Sequence, residues 1–291
     1  MRFLLYGHRG WIGGQFVKLL EDAKIDFVKG HSRLESTPDV ETEIQTVNPT
    51  HVIAFTGRTH GKIDDKEYTT IDYLEQPGKL TENVRDNLFA PLTLANLSTK
   101  YNFHFTYLGT GCIFESTPAQ PSFDESSTPN FFGSSYSIVK GYTDQLMHHY
   151  SDTTLNVRIR MPITSDLNPR NFIAKILKYD KICSMPNSMT VLPELLPILL
   201  DMICSKLTGT INLTNPGTIT HNEILEMYRD IINPEFKWKN FTVEEQNVIL
   251  AAGRSNNELD TTLLESMYPA VMSIHASIRK VIESMKDSVD A

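Results

Sequence analysis

The chain has 291 residues, with 27 Lys and Arg against 35 Asp and Glu and a net charge of −8. That length suits one α/β domain with a smaller lobe, and the acidity argues against a phosphate-backbone binder, so no nucleic-acid partner is expected. Cys112, Cys183 and Cys204 have neither zinc nor disulfide spacing, no signal peptide precedes the first glycine turn, and the most apolar later stretch is broken by Pro193, Glu194, Pro197 and Asp201, so a soluble cytoplasmic protein with no membrane partner and no metal is expected.

In chain order, Arg2–Tyr6 reads as a strand and Gly13–Ala23 as a helix, with a glycine-rich turn between them. A strand at Asp26–Lys29, a helix at Val40–Val47 and a buried strand at Thr50–Phe55 follow. Val84–Lys100 has helical spacing, His104–Leu108 reads as a strand, Tyr136–Tyr150 as a long helix and Leu155–Arg160 as another strand. Such alternation predicts an α/β fold, a Rossmann-like doubly wound parallel sheet. Beyond Met161-Pro162 the pattern loosens into short helices at Asn171–Tyr179 and Leu192–Ser205 and a strand at Thr210–Leu213. The expected division is a dinucleotide domain over residues 1–163 and a smaller, interleaved lobe over 164–291, with a segment near 209–215 returning to the sheet.

The opening turn, Gly7-His8-Arg9-Gly10-Trp11-Ile12-Gly13, has the spacing G-x-x-G-x-x-G. Between a strand and a helix it offers backbone N–H groups to a pyrophosphate, although glycines also serve ordinary turns. The second strand runs into Lys29-Gly30-His31-Ser32-Arg33, where an acidic residue would grip the ribose of NAD. Arg33, helped by Ser32, suits a 2′-phosphate instead, which favours NADPH over NADH; the alternative is a solvated arginine. Tyr136 and Lys140 lie four apart on one helix face, and Thr110 closes the strand before them. A lysine cation beside the phenol is expected to lower its titration, making it a proton donor or acceptor to a carbonyl that Thr110 also holds.

These parts resemble the extended short-chain dehydrogenase/reductase family. The resemblance tightens through Thr110-Gly111-Cys112-Ile113-Phe114-Glu115, Pro129-Asn130-Phe131-Phe132-Gly133-Ser134 and Arg160-Met161-Pro162-Ile163. It continues through Pro169-Arg170-Asn171-Phe172-Ile173, Pro186-Asn187-Ser188-Met189-Thr190-Val191-Leu192, Thr214-Asn215-Pro216-Gly217 and Arg254-Ser255-Asn256-Asn257-Glu258-Leu259-Asp260. Within that family this set is similar to the bifunctional 3,5-epimerase/4-reductases that make nucleotide-linked rhamnose. It implies Thr110, Tyr136 and Lys140 as the reductase set, and Cys112 with Lys175 as an acid/base pair for the acidified hydrogens at C3 and C5 of a 4-keto sugar.

The same likeness implies further cofactor contacts at Thr56, Gly57, Asn87 and Pro162. It implies substrate contacts at Cys112, Phe114, Asn130, Asn171, Lys175, Met189, Trp238 and Asn256, with the Arg254 guanidinium suited to a diphosphate. The implied substrate is UDP-4-keto-6-deoxyglucose, supplied by a separate UDP-glucose 4,6-dehydratase, and a homodimer is the family expectation. Taken without the likeness, Cys112 reads as a small core residue and Lys175 as a solvated helix position. Two rival readings are a reductase acting after a separate epimerase, and a cofactor-binding regulatory subunit without catalysis. The stretch from Arg58 to Gly78 departs from the family pattern.

Overall fold

The computed structural model describes residues 1–289, without the side chains of 288 and 289. Six strands form the main sheet: β1 Phe3–Tyr6, β2 Phe27–Lys29, β3 His51–Ala54, β4 His104–Thr110, β5 Thr154–Ile159 and β6 Gly209–Asn212. They lie in the order β2-β1-β3-β4-β5-β6, and every pairing is parallel. The expected doubly wound sheet is what forms. Its order reverses between β1 and β3, and the crevice past the carboxyl ends of the strands at such a switch point is where ligands bind.

The covering helices are α1 Trp11–Asp22, α2 Thr37–Val47, α3 over residues 80–101, α4 Ser135–Met147, α5 Phe172–Ile176, α6 Leu192–Cys204 and α7 His221–Ile231. On one sheet face Phe16, Val17 and Leu20 of α1 pack with Leu195, Leu199 and Ile203 of α6. On the other, Val40 and Ile44 of α2 pack with Leu94 and Leu97 of α3. A separate core joins α5 and α7 to the helix Ile274–Val289. No helix of the described residues is long and apolar enough to cross a membrane.

Several boundaries differ from the sequence reading. α1 starts at Trp11 because Gly10, in extended conformation, is its N-cap. α3 contains a π-helical turn at Arg85–Phe89, which a 3.6-residue pattern does not reveal. A hairpin pairs Gly61–Ile63 with Lys66–Tyr68 inside the divergent stretch. The helix Ile274–Val289 was not anticipated, although Ile274, Ile278, Val281, Ile282 and Met285 repeat at helical spacing and are all buried.

β5 is buried on both faces yet carries polar residues. Arg158 is fully buried, and its Nε and Nη2 donate to Asp144 Oδ1 and Oδ2 at 2.8 and 2.7 Å. Asn156 Nδ2 donates to the same carboxylate at 2.8 Å. α4 is thereby pinned to β5 by a bidentate pair with every carboxylate oxygen occupied. Removing one partner of a buried pair strands the other charge. Asp144→Ala is expected to lower the unfolding free energy by about 3–5 kcal/mol, read by urea titration, and a loss within about 1 kcal/mol would contradict this account.

At the opposite end of the sheet, His51 and His104 are register partners across β3 and β4, both buried, with ring centroids 5.5 Å apart. Burial, with the charges of His104 and Lys206, pushes the His51 titration from 6.5 down to about 4. The unfolded chain therefore takes up a proton as pH falls through 6.5, while the folded protein does so only near 4. Stability is expected to be full above that upper value and to drain between the two, by about 3 kcal/mol from this residue. Unfolding titrations across this window should show the slope, and His51→Leu should flatten it.

Candidate active site

Backbone geometry at the first turn explains its glycines. Gly7 has φ +78°, and a Cβ there would lie 2.7 Å from the Phe55 carbonyl carbon. A Cβ on Gly13 would lie 2.2 Å from Gly7 O, so α1 approaches the turn too closely for any side chain. Gly10 N donates to Gly7 O at 2.9 Å, and no side chain caps α1 at Gly10. The first-turn N–H groups, including those of Trp11, Ile12 and Gly13, thus fit a dinucleotide pyrophosphate, with the positive end of the helix dipole behind them. Arg9 is exposed at this turn, and Trp11 Nε1 donates to Asp166 Oδ2 at 3.3 Å, tying the turn to the following lobe.

After β2, Glu43 of α2 accepts from the backbone N–H of His31 and Ser32 at 2.8 and 3.0 Å, which shapes the loop that carries Arg33. The Ser32 hydroxyl donates to Asp39 O at 3.2 Å. Arg33 is exposed and pairs with Glu35 at 2.9 Å. Arg85, from the π turn of α3, reaches the same carboxylate at 3.1 Å and was missed in the sequence, where nothing marks it. Asn87, in the same turn, accepts from Arg58 N and donates to Arg58 O, each at 2.9 Å. It clamps the loop that follows Thr56-Gly57 at the end of β3. Pro162 O accepts from Phe172 N at 3.1 Å, so it sets the start of α5.

Thr110 ends β4, and Tyr136 and Lys140 stand on the inner face of α4, all three buried. Ser134 caps α4 by accepting from Ser137 N at 3.0 Å, which fixes where the first turn begins. The Thr110 hydroxyl accepts from Cys112 N at 3.1 Å and stands near enough to the Tyr136 phenol to pull its titration down. Cys112 packs against the cluster of Tyr73, Leu74 and Tyr136. Thr110, Cys112 and Tyr136 are therefore brought together at one strand end.

The expected lowering of the Tyr136 titration is not what the structure shows. Burial and the neighbouring Cys112 push it up, and only the Thr110 hydrogen bond pulls it down. Lys140 does not point at this phenol. Its Nζ donates to Tyr107 Oη at 2.5 Å and to Leu108 O at 3.3 Å, and lies 4.5 Å from the centre of the Tyr107 ring. Burial pushes the Lys140 ammonium down from 10.5 to about 7, against the pull of Asp144 and Cys112. Tyr136 is thus a neutral phenol well past neutral pH.

Lys175 sits on α5, where Asn171 is the cap: its Oδ1 accepts from Ile173 N at 3.2 Å and its Nδ2 donates to Thr164 O at 2.8 Å. Burial and the cations of Arg170 and Arg254 push the Lys175 ammonium down. Arg254 donates to Asp72 Oδ2 at 2.5 Å, and Ala252 N donates to Asp72 Oδ1 at 2.8 Å. Asp72 adjoins Tyr73 and Leu74, so the same segment that covers Cys112 and Tyr136 holds Arg254 beside Lys175.

Other implied substrate residues have structural work. Phe114 is fully buried, stacked on Phe123 at 4.4 Å and beneath the Arg158 guanidinium, and Met189 is fully buried in the core that joins α5, α7 and the helix Ile274–Val289. Neither can touch a ligand in the cleft, because each is enclosed by packing. Asn130 spends its amide on the backbone of Glu115, at 2.8 Å to N and 3.0 Å to O. Asn256 N donates to Glu115 Oε2 at 2.9 Å, and its Oδ1 accepts from Asn187 at 3.0 Å. Trp238 Nε1 donates to Asn222 Oδ1 at 2.8 Å, with its ring beside Phe236.

A parallel sheet with an anion-binding turn at its switch point and a Thr–Tyr–Lys set nearby defines a dinucleotide-dependent enzyme. Residues 3–167 match the NAD dependent epimerase/dehydratase family, and the chain belongs to it. It is similar to the UDP-rhamnose synthase of Acanthamoeba polyphaga mimivirus, at 52% identity and a TM-score of 0.94 over 98% of this chain and 99% of that one. An Arabidopsis thaliana bifunctional dTDP-4-dehydrorhamnose 3,5-epimerase/dTDP-4-dehydrorhamnose reductase is 45% identical over 286 residues, 96% of this chain and 92% of that one. A trifunctional UDP-glucose 4,6-dehydratase/UDP-4-keto-6-deoxy-D-glucose 3,5-epimerase/UDP-4-keto-L-rhamnose-reductase of the same plant is 46% identical, and the match covers 96% of this chain and 41% of that protein.

The closeness of α1 to the turn makes a direct test. Gly13→Ala is expected to weaken dinucleotide binding at least about tenfold, or ~1.4 kcal/mol, because its methyl displaces the Gly7 carbonyl. Titration of nicotinamide fluorescence measures this, and unchanged affinity would rule out the turn as the pyrophosphate site.

Proposed function

We propose that this enzyme converts UDP-4-keto-6-deoxy-D-glucose to UDP-β-L-rhamnose by epimerisation at C3 and C5 and NADPH-dependent reduction at C4. The observation that carries the reading is the packing of Cys112 against the cluster that holds Tyr136, with Thr110 bonded to Cys112 N and close to the Tyr136 phenol. An epimerising base and a carbonyl-directed acid then share one pocket. The relatives named above support the substrate class, and the 4,6-dehydratase portion of the trifunctional plant protein supports a separate dehydratase as the supplier of the keto sugar. The exposed Arg33, with Arg85 beside it, supports NADPH as the preferred cofactor, a 2′-phosphate taking the place of Glu35 as their partner, and NADPH supplies hydride to C4 when bound.

In the epimerase half, the Cys112 thiolate takes a proton from the carbon beside the keto group, leaving an enolate. The Lys175 ammonium, whose loss of a proton is eased by burial and by Arg170 and Arg254, returns one to the opposite face. Thr110 holds the C4 oxygen. In the reductase half, that oxygen becomes an alkoxide and takes the proton of Tyr136. A phenol that stays protonated because it is buried is suited to be this donor. Lys140, held by Tyr107 and Leu108, places positive charge beneath the site and suits a ribose hydroxyl.

The two halves separate experimentally. With the keto sugar in deuterated water and no NADPH, wild-type enzyme is expected to put deuterium at C3 and C5, and adding NADPH should give rhamnose. Cys112→Ala should lose exchange about 10²-fold or more, whereas Tyr136→Phe should keep exchange and lose NADPH oxidation by a similar factor. No exchange by wild type, with reduction only of sugar that is already epimerised, would reduce the reading to a reductase alone.

A further inference from the structure

Beneath the Gly111–Cys112 peptide lies a second buried guanidinium, that of Arg160, which follows β5 and is 1% exposed. Its Nη1 donates to Gly111 O at 3.0 Å and to Ser255 Oγ at 3.3 Å. Its Nη2 donates to Asn187 Oδ1 at 2.6 Å and to Ser255 O at 3.0 Å. All of these acceptors are neutral, and the ion pairs among the described residues do not include Arg160. Arg158, two positions earlier, differs: Asp144 meets its charge at 2.7 Å. Burying a guanidinium with no carboxylate in contact is costly, and an anion that forms beside it offsets the cost.

The place where that anion would form is defined by contact. The stem of Arg160 runs directly under the glycine: a Cβ on Gly111 would meet its Cγ and Cδ at 3.0 Å. Asn257 Nδ2 donates to the same Gly111 carbonyl at 2.9 Å, so two donors hold the peptide that carries Cys112. The acidic groups that oppose the Arg160 charge are Cys112 and Glu115, and the Glu115 carboxyl is itself pushed up by burial. Tyr136 and Lys140 are the other titratable groups that face Cys112.

We propose that Arg160 is a positioning residue for Cys112: its fixed charge stabilises the sulfur as a thiolate, and its grip on Gly111 O sets where the sulfur stands. This rests on the reading of Cys112 as the epimerising base. Arg160 itself touches neither sugar nor cofactor and acts through the loop it holds.

Alkylation of Cys112 by iodoacetamide near neutral pH, followed on its own peptide by mass spectrometry so that Cys183 and Cys204 do not interfere, tests the proposal. Arg160→Met is expected to slow it about tenfold, since the thiolate is the reacting form. Asn257→Ser frees the same carbonyl but keeps the charge, and its rate should stay within about threefold of wild type or rise. A packing role alone predicts the reverse for Arg160→Met, because a loosened loop exposes the thiol. An unchanged or faster rate in that variant, or an equal slowing in Asn257→Ser, would overturn the proposal.

Should Arg160→Met fail to bind NADPH, the wild-type protein decides. Near pH 9 the Lys140 ammonium, pushed down to about 7, is discharged, and Arg160 remains charged. There the ratio of iodoacetate to iodoacetamide rates should exceed that of the urea-unfolded chain; an equal or lower ratio would overturn the proposal. If Cys112→Ala kept deuterium exchange, the base reading would fall while the alkylation result stood by itself.

Discussion

The ion pair between Arg158 and Asp144 is the constraint on which the cleft depends. It fastens α4, which carries Tyr136 and Lys140, near the carboxyl end of a strand that is buried on both faces. The same guanidinium donates to Asp124 O at 2.9 Å and lies 5.0 Å from the Phe114 ring centre, so the loop after Cys112 is fixed by the same group. Phe114 and Phe123 then stack, and Phe123 pairs in register with Leu259, which leads back toward Arg254. One buried pair therefore sets the distance between the helix, the strand end and a loop of the second lobe. A hydrophobic replacement could match its stability, but it would not fix that many backbone oxygens at once.

Electrostatics beneath the cleft follow from this arrangement. Asp144 is saturated by Arg158 and Asn156, so it only partly compensates Lys140, whose ammonium is held down by burial. Arg160 adds a second cation whose hydrogen bonds all go to neutral oxygens. Arg160 thus puts a buried positive charge beneath the strand end of a chain whose net charge is −8. Cations fixed before reaction, in a site shielded from water, stabilise negative charge that appears only during it. An enolate and an alkoxide on the same sugar oxygen would both benefit, so one floor suits both halves of the proposed chemistry.

What was legible in the sequence was local. The glycine turn could be read because positive φ and close helix approach act within a few residues, at Gly7 and Gly13. Tyr136 and Lys140 could be read because a helix puts positions four apart on one face. The sheet could be read because strands and helices alternate. The errors arose where burial decides. Phe114 and Met189 sit in motifs of the right kind, but packing encloses them, and nothing local distinguishes a pocket wall from the layer behind it. Lys140 was expected to act on Tyr136, yet its partner is Tyr107 of a neighbouring strand, a contact made only when α4 docks. Arg85 depends on a π turn, and Arg158 and Arg160 lie in a segment whose apolar neighbours conceal how deeply the charges are buried.

An epimerisation followed by a reduction at one ring, the chemistry proposed above, needs proton donors and acceptors on two sides of the sugar. Inverting a carbon requires a proton removed from one face and returned to the other, so acid and base cannot share a wall. Here the thiol and the phenol stand with the sheet end, through Thr110 and α4, while the Lys175 amine stands on α5. Three contacts tie the elements around the sheet end to the chain beyond residue 163: Trp11 with Asp166, Asp72 with Arg254, and Arg160 with Asn187 and Ser255. The last of these is also the contact that reaches the peptide of Cys112. On the proposed reading, the group that ties the strand end to Asn187 and Ser255 is also the group that would stabilise the sulfur, so a shift of that contact would alter both the reach of the base and the field in which it works.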